Sequence, residues 1–286
     1  MTRVSILVNA VKPEARPLAD RAVKWLRQYG AEVKIISSDA QKLPADDLAD
    51  EDSILGQADL VLALGGDGTI LRAVHLASTN ETPVLGINLG RFGFMASLSP
   101  QNLEMGLASY FDKEYILEQR MMIECQTLRN GEIIDKAIAL NEIVLHREAA
   151  GGMLTLGVSI DDHQFVSFPA DGVIVATPTG STAYNLSAGG PILEPTMRAM
   201  IVTAVSPHAL GARPLVLRPE AEIKLKVESG GQASLLADGQ IHLKFQTFDD
   251  VRVRKSNKNA HLITFTSTDF LSKLSSRLLY GVRIED

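Results

Sequence analysis

Residues 65–69 read GGDGT, after the apolar run LVLAL (60–64) and before ILRAV, whose spacing is helical. A lone carboxylate, Asp67, therefore stands among glycines where a buried strand gives way to a helix. Glycines admit left-handed backbone and let a ligand's phosphates come close to main-chain amides. Amide cradling explains the glycines but not Asp67, whose charge repels phosphate. The carboxylate makes chemical sense if it takes a proton from an attacking hydroxyl, or if it holds a metal that meets the phosphates. A plain helix cap with glycines shaping the turn accounts for the same residues. The stretch lacks the Lys-Ser/Thr ending of a P-loop and is not GxGxxG.

Two further stretches carry polar residues in positions to bind. In DGVIVATPTGSTAYNLSAGGPIL (171–193) a strand runs into Pro178, and Gly180, Ser181 and Thr182 open a short helix whose amides and hydroxyls suit an anion or a ribose. Tyr184 there is placed to stack on a base or sugar, or to serve as a core tyrosine beside a Ser/Thr-capped turn. In ALNEIVLHR (139–147), Asn141 and Glu142 interrupt a strand; an asparagine can read an adenine edge, and a solvent-facing bulge explains it equally.

These motifs need elements to position them, and the chain has two textures. Up to residue 114, strand-like VSILVN (4–9), EVKII (32–36), ADLVLAL (58–64) and TPVLGIN (82–88) alternate with helical segments. The first of those is Pro13 to Tyr29, with Leu18, Ala22, Trp25, Leu26 and Tyr29 on one side. Acidic residues 39–52 read as a solvated loop or short helix. This rhythm predicts a Rossmann-like α/β domain with a parallel sheet. Over 115–266 many short strands are separated by turns, among them an Asn130-Gly131 hairpin signal, Gly230-Gly231 and Asp249-Asp250. DVRVRK and AHLITF close that series as two strands, and the whole predicts an all-β, sandwich-like domain. STDFLSKLSSRLL (267–279) reads as an amphipathic helix, so 267–286 is expected to return to the first domain.

Bulk properties narrow the classes of function. The 286 residues carry a net charge of −6, so no global field draws the chain to nucleic acid or anionic lipid, and any phosphate site is a local device. Cys125 is the single cysteine, which excludes an intramolecular disulfide and a multi-cysteine zinc site. The first residues show no signal-peptide pattern and no apolar run reaches about 18 residues, so a cytoplasmic protein without membrane spans is expected.

Four stretches together resemble the bacterial NAD kinases: GGDGT (65–69), GINLGRFGFM (86–95), NEIVLHR (141–147) and DGVIVATPTGSTAYNLSAGGPI (171–192). They span both predicted domains in the family's order. GGDG is shared with lipid kinases, whereas the TPTGSTAYNLSAGGPI block is far more specific. The resemblance implies the reaction ATP + NAD → ADP + NADP, with Asp67 as catalytic base on the 2′-hydroxyl of the adenosine ribose. It implies backbone contact from Gly68 and phosphate neutralisation by Arg72. Asn141 and Glu142 match the pair that contacts adenine and ribose, and Asp171 the aspartate expected at the nicotinamide side. Thr182, Ala183, Tyr184, Asn185, Leu186 and Ser187 match the segment lining the dinucleotide, with Gln240 and Asp238 as weaker matches in LADGQ (236–240). Where some members carry a basic residue two positions before that aspartate, this chain has Pro169. His146 and His208 have no part in the implied mechanism and are read as structural.

The resemblance further implies Mg²⁺ brought by ATP rather than a protein metal site, and a homo-oligomer, dimer or tetramer. A GGDG-type lipid kinase and a non-catalytic dinucleotide sensor are the alternatives. A dehydrogenase is disfavoured, because VNAVKPEA offers no glycine after the first strand.

Overall fold

The computed structural model describes residues 1–9, 11–37, 58–90, 93–148, 152–245, 249–266 and 269–278. The acidic stretch 39–52, and Arg91 and Phe92 of GINLGRFGFM, lie outside the described residues. The chain divides into two compact units, Met1–Gln119 with Ala260–Asp286, and Arg120–Asn259.

In the first unit, short runs of β-branched and leucine residues form strands that are apolar on both faces, as a covered parallel sheet requires. They are β1 (Arg3–Val8), β2 (Glu32–Ser37), β3 (Leu60–Gly65) and β4 (Val84–Asn88), in the spatial order β2-β1-β3-β4 and all parallel. Helices α1 (Ala15–Gln28), α2 (Asp67–Ala77) and α3 (Leu103–Phe111) follow strands in the chain. Helix α1 buries Leu18, Ala22 and Leu26 of the stripe that the periodicity predicts, with Val23 beside them. Trp25 is half-buried, and Tyr29, at the C-cap, is exposed and stacks on the Trp25 ring instead of entering the core. Because β2 lies on one side of β1 and β3 on the other, strand order reverses between β1 and β3. Carboxyl ends at such a switch point are where ligands of open α/β sheets gather.

The second unit is antiparallel. Strands β5 (Ile116–Arg129) and β6 (Glu132–Ala139) form the expected hairpin, with Asn130 and Gly131 at φ of 53° and 85°. Left-handed backbone at both turn residues is what a two-residue hairpin turn needs. Strands β7 (Glu142–Arg147), β8 (Leu154–Ile160), β9 (His163–Ala170), β10 (Gly172–Ala176), β11 (Met200–Val205) and β12 (Leu215–Leu217) follow, with the one-turn helix α4 (Tyr184–Ser187) between β10 and β11. The last four are β13 (Ile223–Ser229), β14 (Ala233–Ala237), β15 (Gln240–Phe245) and β16 (Asp250–Thr264). One sheet orders β12-β11-β10-β7-β14-β15, and another carries β16-β13-β8-β9. Leu145, Val173 and Leu235 from the first meet Leu156, Leu225 and Val253 from the second in one core, which makes the sandwich.

Two details differ from the sequence reading. DVRVRK and AHLITF are one strand, β16, rather than two. The polar residues between them do not turn the chain; Ser256 Oγ instead accepts the Lys258 N–H at 3.1 Å, a local irregularity within an extended run. The terminal helix α5 covers Asp269–Arg277, ending before Leu278, and falls in the first unit; residues 267, 268 and 279 of the predicted span lie outside the described residues. Among the described residues no helix is long and apolar enough to cross a membrane.

Candidate functional site

Asp67 is the first residue of α2, directly after β3, yet its side chain does not cap that helix. The N-cap is Gly66, and no side chain bonds there. The Asp67 carboxylate reaches instead to the segment after β4, where Oδ2 accepts the Phe94 N–H at 2.8 Å and Oδ1 the Met95 N–H at 3.3 Å. A Cβ on Gly93 would lie 1.7 Å from Oδ1, so only glycine lets this segment close over the carboxylate. Between capping and chemistry, the geometry removes the cap.

Beside Asp67 lies a cavity of about 330 Å³ at the switch point, lined by Leu7 and Val8 at the end of β1, by Asn9 and Lys12 just beyond it, and by Gly66, Gly68, Thr69 and Arg72 after β3. It combines the open N-terminus of an 11-residue helix with two cationic side chains, the ingredients of an anion site. Lys12 already donates to the Leu89 carbonyl. Sequence reading singled out Gly68 and Arg72 but passed over Lys12 and Gly93. Lys12 sits in the very stretch inspected only for missing glycines.

The second unit carries a larger cavity, about 640 Å³, on the outer face of the β7–β14 sheet. Alternation along β7 turns Glu142, Val144 and His146 to this face, joined by Ser234 and Leu236 of β14 and by Arg147, Glu148, Tyr184 and Gly239. His146, read from the sequence as structural, is thus a cavity wall, with Nδ1 2.7 Å from the Arg147 carbonyl. His208 lies elsewhere, its N–H bonded to the Pro169 carbonyl. Pro169 itself is exposed on β9.

Asn141 and Glu142 stand where β7 begins, and Asp238 fixes them. Its carboxylate accepts three consecutive backbone amides, Leu140 at 2.8 Å, Asn141 at 2.7 Å and Glu142 at 3.0 Å. Gly180 completes the turn, since a Cβ there would lie 2.1 Å from the Asn141 carbonyl oxygen. Asp238 therefore acts on this turn rather than on the cavity. Glu142 is buried, and its Oε2 has no hydrogen-bond partner among the described residues. Burial above all, then the Asp238 charge, push its carboxyl up to about 8 against the lowering effect of the Tyr184 N–H. At neutral pH it holds a proton that it can donate to a ligand acceptor, while the other oxygen accepts.

Asp171 pairs with Arg147, Nε to Oδ1 at 2.5 Å, and this bond holds its carboxyl below the usual range. Tyr184 is partly exposed, and its hydroxyl is pushed up by burial and by the Asp171 and Glu142 charges. Asn185 is fully buried and locks its own segment. Its amide nitrogen donates to the Ser181 and Pro191 carbonyls at 3.2 and 3.1 Å, and its oxygen accepts Thr203 Oγ1 at 2.7 Å. Thr182, Ala183 and Leu186 are half-buried around it, and Ser187 is exposed. Gln240 opens β15 in an exposed position; its neighbour Gly239 is the one on the cavity. Cys125 is buried with its thiol pushed up to about 12 by that burial, which leaves it inert.

An aspartate at a switch point beside a cationic cavity, with a roomy acid-walled pocket on a separate β unit, equips a nucleotide-dependent group-transfer protein. Comparison with known proteins gives the family. Residues 4–115 match the model of the ATP-NAD kinase N-terminal domain, and 140–265 that of the ATP-NAD kinase C-terminal domain. The NAD kinase of Syntrophotalea carbinolica is 36% identical over 285 residues, covering 99% of this chain and 100% of that protein. That of Methanothermobacter thermautotrophicus is 36% identical over 282 residues, covering 98% of each. Yeast NADH kinase complexed with NADH superposes with a TM-score of 0.90 at 27% identity, covering 100% of this chain and 90% of that one. An NAD kinase from Archaeoglobus fulgidus in complex with ATP gives 0.74 at 27% identity, covering 96% and 99%. The chain belongs to the NAD kinase family.

Proposed function

We propose that Asp67 is the general base of an ATP-dependent NAD kinase reaction. Membership of the family makes the chain a phosphotransferase that phosphorylates NAD with ATP, and leaves the lipid-kinase alternative without support. In the proposed step the adenosine 2′-hydroxyl of NAD attacks the γ-phosphorus. Its proton passes to the Asp67 carboxylate, a P–O bond forms to the ribose, and the bond to the β-phosphate oxygen breaks to release ADP. The observation that carries this reading is the Asp67 carboxylate itself, turned from its own helix and oriented by the Phe94 and Met95 amides.

Lys12, Arg72 and the amides of Gly66 and Gly68 take the donor's phosphates in the cavity beside it. Glu142, Asn141 and Tyr184 take the dinucleotide in the second unit, with Asp171 presented by Arg147. Among the described residues no group of three or more His, Cys, Asp or Glu side chains could hold a metal ion. The reading includes a Mg²⁺ that would arrive with ATP and neutralise its phosphates, as such ions commonly do. A cytoplasmic homo-oligomer completes the reading. The test is a coupled assay with ATP, Mg²⁺ and NAD, reading NADP formation for wild type and Asp67→Asn. A variant with wild-type kcat would refute the base.

A further inference from the structure

Lys273 lies on α5, far along the sequence from every motif, and is buried. Its ammonium donates to the Ala96 carbonyl at 2.5 Å and, at a longer 3.4 Å, to the Phe94 carbonyl. These carbonyls belong to the segment that holds Asp67. The Phe94 carbonyl and the Met95 N–H are two ends of one peptide group, so Lys273 pulls at one end while Asp67 Oδ1 accepts from the other. A cation on the carbonyl polarises that peptide and strengthens its N–H as a donor. The Phe94 ring is held from the same helix, with the Phe270 ring centroid 6.3 Å away and the Arg277 guanidinium 5.6 Å above the ring. Cation–ring contacts within about 6 Å are attractive.

We propose that Lys273 is a positioning residue for phosphoryl transfer: through the 94–96 backbone it sets the orientation of the Asp67 carboxylate. The inference rests on Asp67 being the base, and it gives the terminal helix a part in turnover. Buried lysine at a helix–loop contact also has a bland explanation, simple docking of α5. Docking alone predicts lower stability, with kcat and both KM values drifting together.

The experiment compares wild type with Lys273→Met, Lys273→Gln and Lys273→Arg in the full chain. It reads kcat, KM for NAD and for ATP, Tm, and hydrogen exchange at the Phe94 and Met95 amides without substrate. The expected result for Lys273→Met is a kcat lower by about ten- to a hundredfold, the scale of a misaligned catalytic group. Both KM values stay within about twofold, exchange at the two amides is faster, and Lys273→Arg recovers most of the lost kcat. If Lys273→Met does not fold, Lys273→Gln, which keeps a neutral donor, is read in its place. Unchanged kcat, unchanged amide exchange, or a loss that tracks Tm and KM alike would overturn the proposal. Amide exchange involves no chemistry, so it separates this failure from failure of the base assignment, which Asp67→Asn reports.

Discussion

The two units each hold a carboxyl group that the proposed function assigns to a ligand, and they treat it in opposite ways. Asp67 stands partly open at the end of a parallel strand, with two backbone amides fixing its direction. Glu142 is sunk in the sheet of the β unit next to another acid, and burial with that neighbour's charge keeps its proton on to about pH 8. On the proposed reading the same functional group serves as a proton acceptor in one place and a proton-bearing hydrogen-bond donor in the other. Environment, rather than residue type, assigns the roles.

The comparison is broken most directly at Asp67. Asp67→Asn removes the acceptor but keeps the shape, and kcat is expected to fall by about 10²–10⁴-fold. NAD binding, measured by calorimetry, stays near wild type. If binding falls with turnover, the division of labour between the two acids is wrong. Next in size is Asp238→Ala, which leaves the amides of Leu140, Asn141 and Glu142 without their acceptor. Roughly 1–3 kcal/mol of lost positioning corresponds to a KM for NAD raised about five- to 150-fold, with KM for ATP nearly unchanged. Gly93→Ala drives a methyl into the Asp67 carboxylate and should cost about 1–3 kcal/mol of stability together with a loss of kcat. Thermal melts and steady-state kinetics on one preparation check both.

A pH series sharpens the Glu142 side. Its folded carboxyl titrates near 8 against an ordinary 4.5, so between those values the folded state holds a proton that the unfolded state has released. Stability contributed by this group therefore declines as pH rises through that window and is level below and above it. The slope is about 1.4 kcal/mol per pH unit at most. Denaturant unfolding at several pH values should show that slope in wild type and lose it in Glu142→Gln. An identical pH dependence in the two proteins would place the proton elsewhere.

Much of this architecture was readable in advance. A continuous apolar run names β1, a stripe of period 3.6 names α1, and the Asn130-Gly131 turn signal names the hairpin, because each is dictated by residues close in sequence. GGDGT located the carboxylate, and the Asn141-Glu142 pair located the turn at the head of β7. What stayed hidden depends on distant partners. Nothing local tells that Asp67 bonds to Phe94 rather than capping α2, or that Asp238 serves residues almost a hundred positions earlier. Alternation along β7 would have put His146 on the Glu142 face, and that signal was passed over. The join of DVRVRK to AHLITF escaped for the opposite reason, since polar residues resemble a turn when the strands they pair with are unknown.

One consequence of the Asn185 contacts concerns entropy. The Thr179–Gly190 stretch is rich in glycine and small residues, and such a chain, if loose, must be ordered whenever a ligand arrives. Asn185 ties it to Ser181, Pro191 and Thr203 without any ligand's help. That ordering is completed when the polypeptide folds. If this segment lines the dinucleotide as proposed, association meets a wall already in shape, and its free energy is not diminished by freezing a loop.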